Sequence, residues 1–316
     1  MNRISLSLLV LALPACTAIV DTYPGNRDEG SEAITELVAN VPSIVFDDDT
    51  KSAVSTEGAF SWVTNDRLGF WPSTSDVTFG APTQCVFHVQ ASPGSSVCDR
   101  FCSNGWGLIA GNTYYTYFPY DDNATASAVS VSYKNQNQTS NNNANHVGAY
   151  EYLHASCVAT SNTMVDYEHI GSFLKCVLTI SSEYASSTFT DVMLTSTSAV
   201  FTESAKYNPC QQPVSLTDKV MKTSMSISLN SGNGFKSSNN QLIVYAMMCP
   251  AQWQGKTITV TAHDTDNHEF TGTFTPSKNQ TAGKGTVVNL TMTASGGYYD
   301  LSRSESAITV MVLPCH

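Results

Sequence analysis

The chain has 316 residues, of which 15 are Lys or Arg and 26 are Asp or Glu, giving a formal net charge of -11. This acidic balance argues against nucleic-acid binding, because such binding needs a basic face. The length allows two domains of about 150 residues each or one large domain, and the abundant Ser, Thr, Val and Tyr residues favour β-sheet.

The amino terminus has the features of an export signal. Arg3 is followed by an apolar run over residues 4–15, whereas a membrane-spanning helix needs about 20 apolar residues. The sequence "LPAC", ending at Cys16, resembles a bacterial lipobox, which predicts a lipid on the Cys16 sulfur and cleavage just before it. Thr17 indicates the outer membrane, since an Asp there would favour the inner membrane. The alternative is an ordinary secretory signal in which Cys16 is incidental.

Short strands are predicted through the first half of the chain. "SEAITELVANVPSIVF" predicts a short helical turn and then a strand that ends at Phe46. "GAFSWVTNDRLGFW" predicts two strands around an Asn-Asp turn, with Trp62 and Phe70 in the core. "NTYYTYFPY" is prone to form a strand, and "ASAVSVSY" alternates with a period of two, which places its apolar residues on one face.

The second half repeats the same pattern after a polar loop. Residues 134–145, "KNQNQTSNNNAN", are predicted to form a loop that packs against no core. From Ser161 onward, apolar strands recur about every ten residues with turn residues between them, which is typical of antiparallel sandwiches. The predicted fold class is therefore all-β, as two tandem β-sandwiches. The predicted divisions are a signal peptide (1–15), a lipid-anchored tether (16–32), an N-terminal sandwich (33–162) and a C-terminal sandwich (163–316).

Eight cysteines follow Cys16, and an even number in an exported chain permits disulfides. Several lie in apolar runs, where a free cysteine packs as a small hydrophobe, so bridged and free states both remain open. We expect no extensive disulfide framework, because sandwiches of this size bury enough apolar surface without one. Cys98, Cys102 and His88 lack the second close pair that zinc sites usually show, so no metal is expected.

The stretch "AHDTDNHEF" concentrates titratable side chains that can bind a metal or transfer protons. They are His263, Asp264, Asp266, His268 and Glu269. The two flanks alternate like strands, and "DTDN" is a strong turn sequence. We therefore interpret the stretch as a hairpin tip whose side chains point into water, where nothing fixes their geometry or shifts their pKa values.

No established catalytic motif occurs in the sequence. It contains no GxSxG, HExxH, Walker loop or EF-hand spacing. A glycosidase with two carboxylates that meet only in space is the remaining enzymatic alternative. The sequence predicts that the protein is not an enzyme and needs no cofactor.

Four stretches, taken in order and spacing, carry a family resemblance. They are "FSWVTNDRLGFW", "VSYKNQNQTSNNNANHVGAYEYLHA", "VDYEHIGSFLKCVLTIS" (with Tyr167, His169 and Ser172) and the segment from "YAMMCPAQW" to "TVVNLTM" (with the turn Ala282–Lys284). Together they resemble the fimbrillin (Mfa-like) family, the lipoprotein pilin subunits of Bacteroidetes. From the residues themselves, His169 reads as a structural strand residue and Gly283 as a turn residue.

The resemblance implies two transthyretin-like sandwiches and a structural role as a subunit of cell-surface fimbriae serving adhesion. It implies export as an outer-membrane lipoprotein, proteolytic removal of a first strand, and completion of the opened groove by a strand from the next subunit. The implied partners are other fimbrial subunits, the outer membrane through lipid on Cys16, and host or bacterial surface ligands. Lys51, which follows an acidic turn, is the expected processing site, because cutting at Arg67 would remove a core strand.

The end of the chain, "SAITVMVLPCH", predicts a strand buried on both faces over residues 307–313. Ile308, Val310 and Val312 form its β-branched face, and Pro314 ends it. Two options remain open for this strand. It completes the sandwich of its own subunit, or it is the donor strand that fills the groove of a neighbour.

The alternative function is that of an outer-membrane glycan-binding lipoprotein. Its basis is that Trp71, Trp106, Trp253 and the aromatic residues around Tyr114 and Tyr115 could form platforms that stack on sugars. Aromatic residues in strands more often belong to the core than to a binding surface.

Overall fold

The computed structural model describes residues 33–46, 59–63, 66–73, 85–89, 97–103 and 107–296. These residues form strands with only short 3₁₀ turns, so the predicted all-β class is confirmed. The helical turn predicted after residue 32 is wrong. Strands occupy that stretch because Leu37 and Ala39, two residues apart, are both buried, and a period of two belongs to a strand.

Twenty-four strands lie within the described residues. The first twelve are β1 (Ala33–Ile34), β2 (Glu36–Asn40), β3 (Val45–Phe46), β4 (Arg67–Pro72), β5 (Cys85–Val89), β6 (Val97–Ser103), β7 (Leu108–Ile109), β8 (Thr113–Phe118), β9 (Val129–Ser132), β10 (Gln136–Gln138), β11 (Leu153–Val158) and β12 (Met164–Asp166). The others are β13 (Glu168–His169), β14 (Ser172–Thr179), β15 (Thr188–Ser196), β16 (Phe201–Tyr207), β17 (Leu216–Lys222), β18 (Ser224–Leu229), β19 (Phe235–Lys236), β20 (Gln241–Met248), β21 (Ile258–Asp264), β22 (His268–Phe274), β23 (Lys284–Thr291) and β24 (Thr293–Gly296). The 3₁₀ turns are Asn145–Tyr150, Ser182–Tyr184 and Asn230–Gly232.

The described residues group into two compact units that are not continuous in sequence. Unit one takes those within 1–40, 61–120 and 155–166, and unit two takes those within 41–60, 121–154 and 167–316. The sequence predicts a single boundary near residue 162. In the structure, residues 121–154 join unit two because β9 and β10 pair with β16 and β18.

Unit one is built on one sheet whose strands follow the order β12-β2-β6-β5-β4-β8-β11, with β1 and β7 paired beside it. Trp62 is fully buried and meets Phe118 edge to face, and Phe70 packs against Phe87. Both predicted core residues, Trp62 and Phe70, are therefore in the core. Residues 59–63 themselves are not a strand, contrary to the expectation from "FSW".

Unit two is a sandwich with a core between two sheets. One sheet has the order β20-β14-β23-β3, and the other has the order β10-β18-β15-β21-β22-β24, with β19 also on β15. A third sheet has the order β17-β16-β9. Most pairs are antiparallel as predicted, but β14–β23, β3–β23 and β10–β18 are parallel. The core residues alternate along the facing strands, among them Leu174, Val192, Leu194, Val244 and Val260.

The polar stretch 134–145 is not the core-free loop that its composition predicts. It contains β10 and two fully buried glutamines, Gln136 and Gln138. Burial of these amides is compatible with stability because every buried polar group needs a hydrogen-bond partner and here finds one on β20. The composition does not reveal these hydrogen bonds, because the partners lie about 100 residues away along the chain.

Candidate functional site

The segment of residues 33–46, here called the amino-terminal segment, supplies a central strand to unit one. Its strand β2 lies between β12, which it pairs in parallel, and β6, which it pairs in antiparallel fashion. The indole Nε1 of Trp62 donates a hydrogen bond to the carbonyl of Ala39 at 3.2 Å. Removing this segment would leave β12 and β6 with unpaired edges and would uncover the indole donor.

The same segment supplies an edge strand to unit two. Strand β3 runs parallel to β23, with Val45 beside Lys284, and the Val45 amide donates to the Gly283 carbonyl at 3.2 Å. Val41 and Ile44 are buried just before it. The turn predicted at Gly283 is confirmed: its φ is +69°, which glycine adopts without strain, and β23 begins at the next residue.

A buried histidine holds the amino-terminal segment in unit two. His169 Nδ1 lies 3.0 Å from Oε1 of Glu151, and His169 Nε2 lies 2.6 Å from the carbonyl oxygen of Pro42. The side chains of His169 and Glu151 are only 2% and 5% exposed. Since both ring nitrogens face oxygen acceptors and only the doubly protonated ring can donate from both, this position favours the imidazolium.

The pKa of His169 agrees with this geometry. Burial alone would lower the pKa, but the hydrogen bond and charge of Glu151 and the carbonyl of Pro42 outweigh it, so the pKa is raised above its ordinary value. The charge on the ring strengthens both hydrogen bonds. The structural role predicted for His169 is confirmed. The structure adds that this side chain binds the amino-terminal segment through Pro42, which the sequence did not reveal.

The opposite edge of the four-stranded sheet is closed by side chains. Along β20, the amides of Gln136, Gln138 and Asn141 make six hydrogen bonds to backbone groups of alternate residues. Gln138, for example, donates to the Ile243 carbonyl at 2.8 Å and accepts from the Tyr245 amide at 2.8 Å. This amide ladder occupies the groups that another strand would need, so it blocks pairing at β20.

The other edge of that sheet is only partly covered. Strand β23 runs over eight residues, and β3 pairs with Lys284 and Gly285 alone. On its other side β23 pairs with β14 from Phe173 to Thr179. Within the described residues, the six positions from Thr286 to Thr291 therefore have no strand partner on the β3 side.

The predicted hairpin in "AHDTDNHEF" is confirmed, with β21 and β22 joined through residues 265–267. The expectation that nothing fixes its side chains is wrong for Asp264, whose side chain is fully buried. Its Oδ1 accepts from the amides of Asp266 and His268 at 3.0 and 2.9 Å, and its Oδ2 accepts from His268 Nδ1 at 2.9 Å. Burial tends to raise the pKa of Asp264, but these hydrogen bonds outweigh it and lower the pKa.

Asp264, Asp266 and His268 each offer one atom that could bind a metal ion, and these three atoms lie within 4.8 Å of one another. Both oxygens of Asp264 are already used to order the turn, and a cation would have to replace those hydrogen bonds. Nearby, His263 Nδ1 is 2.8 Å from Oδ1 of Asp191, and its Nε2 is 3.7 Å from Oε1 of Glu269. The arrangement is that of a turn stabilised by hydrogen bonds, beside a partly buried contact between His263 and Asp191.

The aromatic residues considered as sugar platforms belong to the core where the structure describes them. Trp71, Tyr114 and Trp253 are at most 5% exposed, and Tyr115 is half-buried. Trp106 lies outside the described residues. The platform basis for the glycan-binding alternative is therefore wrong at Trp71, Tyr114 and Trp253, because rings buried in a core present no face to a ligand.

Four cysteines are free in the described part of the chain: Cys157, Cys176, Cys210 and Cys249. Burial raises the pKa of Cys176 to about 12, so its thiol packs as a small apolar group. His88 is half-buried, and its pKa is lowered by burial and by Arg67.

The site residues predicted from the sequence lie outside the described residues. They are Cys16 for lipidation, Lys51 for processing, and Ile308, Val310 and Val312 for the donor strand. The residues that the sequence missed are Glu151 and the two glutamines of the amide ladder. Composition does not indicate which polar residues will be buried. The tyrosine and histidine pattern around His169 did single out one member of the buried pair, but nothing pointed to Glu151. No helix in the described part of the chain is long and apolar enough to span a membrane.

Comparison with solved structures shows what fold this chain has. A proposed cell adhesion protein from Bacteroides ovatus superposes with a TM-score of 0.56 at 14% identity, over 84% of this chain and 95% of that one. A proposed cell adhesion protein from Bacteroides uniformis superposes with a TM-score of 0.53 at 13% identity, over 85% of this chain and 99% of that one. The chain shares their fold. No family model matches the sequence, and no curated protein matches it.

Proposed function

We propose that the protein is a structural subunit of a cell-surface fimbria, assembled by strand exchange after proteolytic processing. The observation that carries the proposal is the position of the amino-terminal segment, which gives β2 to unit one and β3 to unit two. Cleavage after Lys51 would separate β1, β2 and β3 from the rest of the chain. Unpaired strand edges then become templates for a strand from another subunit.

The two edges of the four-stranded sheet support a directed assembly. The amide ladder occupies the β20 edge, while among the described residues the β23 edge carries only the two-residue strand β3. A partner strand would therefore add at β23. Strand addition gives affinity through main-chain hydrogen bonds and specificity through pockets for alternate side chains.

The remaining parts of the proposal come from the resemblance to fimbrillins and from the shared fold with two proposed adhesion proteins. They are lipid attachment at Cys16, an outer-membrane and cell-surface location, two tandem transthyretin-like domains, and other fimbrial subunits as partners. The role is structural and adhesive, with no enzymatic activity and no cofactor. The strand at 307–313 is the proposed donor.

Electron microscopy of trypsin-treated protein tests this proposal. We expect cleavage at Lys51, loss of residues 33–46 and the appearance of filaments or ladders. The Lys51→Ala variant should remain monomeric, while the control variant Lys256→Ala, at an exposed turn in unit two, should assemble like the wild type. Amino-terminal sequencing locates the cut. Protein that is cut at Lys51, has lost the segment and stays monomeric would contradict the proposal.

A further inference from the structure

Unit two contains a cavity of about 530 Å³ that the assembly proposal does not use. The polar residues of its wall include Lys134, Asn135, Gln136, Glu203, Lys222, Ser224, Ser226 and Ser228. We call it the β9–β18 pocket. Its volume falls within the range of roughly 300–1,000 Å³ that is typical of small-molecule sites.

The pocket exists because the chain changes sheets twice at the same place. Strand β9 pairs with β16, but after Asn135, whose φ is +57°, the chain continues as β10 alongside β18. Strand β17 also pairs with β16, and after Thr223 the chain continues as β18 alongside β15. The strands on either side of the two crossings diverge, and the pocket is the space between them.

Hydrogen bonds fix the wall formed by residues 133–136. The buried amide of Gln136 donates to the carbonyls of Tyr133 and Met247 at 3.1 and 2.6 Å. The hydroxyl of Tyr150 donates to the carbonyl of Asn135 at 2.8 Å. The left-handed turn is thereby held in place, so the pocket is preformed and does not require ordering when a ligand binds.

One wall offers a row of hydroxyl groups and free backbone. Ser224, Ser226 and Ser228 alternate along β18 and all line the pocket, while Ile227 and Leu229 point into the core. Strand β10 pairs only with Ile227–Leu229, so within the described residues the backbone of 224–226 has no strand partner on that side. Each hydroxyl can both donate and accept, which suits a ligand with many hydroxyl groups.

The opposite wall carries a surplus positive charge. Lys134 Nζ and Lys222 Nζ lie 3.5 and 3.9 Å from the same oxygen, Oε2 of Glu203. Two ammonium groups and one carboxylate leave a net charge of about +1 at neutral pH. Both lysines are about half exposed, so their pairing with Glu203 is weak and an incoming carboxylate can compete for them.

We propose that the β9–β18 pocket binds a saccharide unit that carries a carboxylate. The serine row and the free backbone of β18 would meet the hydroxyl groups, and Lys134 and Lys222 would meet the carboxylate. Met225, which is partly buried, also lines the pocket and offers apolar contact to the carbon face of a sugar ring. None of the residues that line the pocket belongs to β2, β3, β6, β12 or β23, the strands of the proposed assembly, so this inference does not depend on that proposal.

Titration of the full chain with sodium glucuronate, by calorimetry or by NMR, tests the site. Glucose and sodium acetate serve as separate probes for the hydroxyl and carboxylate contributions. We expect saturable binding of glucuronate, with glucose and acetate each at least about tenfold weaker, because each loses one set of contacts. Binding of acetate as tightly as glucuronate would mean a simple anion site, and equal binding of glucose would mean that no charge is recognised. Either result, or no binding of glucuronate, overturns the proposal.

Three variants identify the residues that bind. Lys222→Gln should weaken glucuronate binding about tenfold, whereas Lys219→Gln, three residues earlier on β17 and outside the pocket wall, should leave it unchanged. Glu203→Gln removes the competing carboxylate and should tighten binding several-fold. Weaker or unchanged binding in Glu203→Gln, or equal losses in Lys219→Gln and Lys222→Gln, would contradict the proposal. Circular dichroism and thermal unfolding verify that each variant is folded.

Discussion

His169 ties the carbonyl of Pro42 to the buried carboxylate of Glu151. A glutamine at this position could donate to Glu151 or to Pro42 but could not reach both from one amide. His169→Gln should therefore lower the free energy of unfolding by about 3 kcal/mol, as expected when a buried charge pair loses one partner. Urea unfolding followed by circular dichroism measures the change.

The matched control is His154→Gln. His154 is also buried, but its nearest carboxylate, on Glu168, is 3.7 Å away and 78% exposed at the side chain. Burial lowers the pKa of His154, and Glu168 offsets this effect only in part. Replacing His154 therefore removes no buried, charged hydrogen bond of the kind that His169 makes. Equal destabilisation by the two substitutions would contradict a special role for His169.

The same geometry predicts a dependence on pH. The pKa of His169 is raised in the folded state by Glu151 and Pro42 against the effect of burial. Its contribution is fully present below the unfolded pKa of about 6.5 and is lost as the pH rises through the folded pKa. Tyr133 also faces Glu151, but its own pKa is raised well above the ordinary range, mainly by burial, so it stays neutral across this window. The stability difference between wild type and His169→Gln should shrink as the pH rises.

At the scale of elements, the amide ladder replaces a strand along β20. A glutamine side chain presents a donor and an acceptor in one plane, so it can meet a backbone amide and carbonyl as a neighbouring strand would. Gln136, Gln138 and Asn141 do so along alternate residues of β20. This protects an edge that would otherwise promote association at the wrong side of the sheet.

Gln138→Met keeps the length of the side chain and removes both hydrogen-bonding groups. The amide of Tyr245 then loses its acceptor, at a cost of about 1–3 kcal/mol, while the carbonyl of Ile243 keeps the hydrogen bond from the amide of Asn142. We expect lower stability in urea unfolding and a shift toward larger species in light scattering. Thr139→Val, one residue away and exposed, is the control and should behave like the wild type. An unchanged stability of Gln138→Met would contradict the ladder's role.

The strands were largely predictable from local sequence, while the functional contacts were not. A period of two in "ASAVSVSY" correctly places Val129, Val131 and Tyr133 in the core, because alternation is a local property of a strand. "DTDN" gave the hairpin correctly for the same reason. The burial of Asp264, the pairing of Glu151 with His169 and the ladder on β20 depend on which residues meet after folding, and composition carries no record of that.

At the scale of the whole molecule, the part of the β23 edge that has no partner among the described residues sets the length of strand that could be added. Six residues from Thr286 to Thr291 span about 20 Å at roughly 3.3 Å each. The sequence of residues 307–313 has the apolar alternation and the length to fill such an edge. By these criteria, residues 307–313 of the same chain and residues 307–313 of a neighbouring subunit would fit the β23 edge equally well.

Deletion of residues 307–316 separates the two arrangements. The core of unit two is enclosed by β14 and β20 on one side and by β15 and β21 on the other, and all four strands have their pairing partners within the described residues. We therefore expect the truncated monomer to keep its circular dichroism spectrum and its urea midpoint. After trypsin treatment it should form no filaments in the electron microscope, because its donor strand is gone. A truncated chain that fails to fold would instead place residues 307–313 within the sandwich of their own subunit.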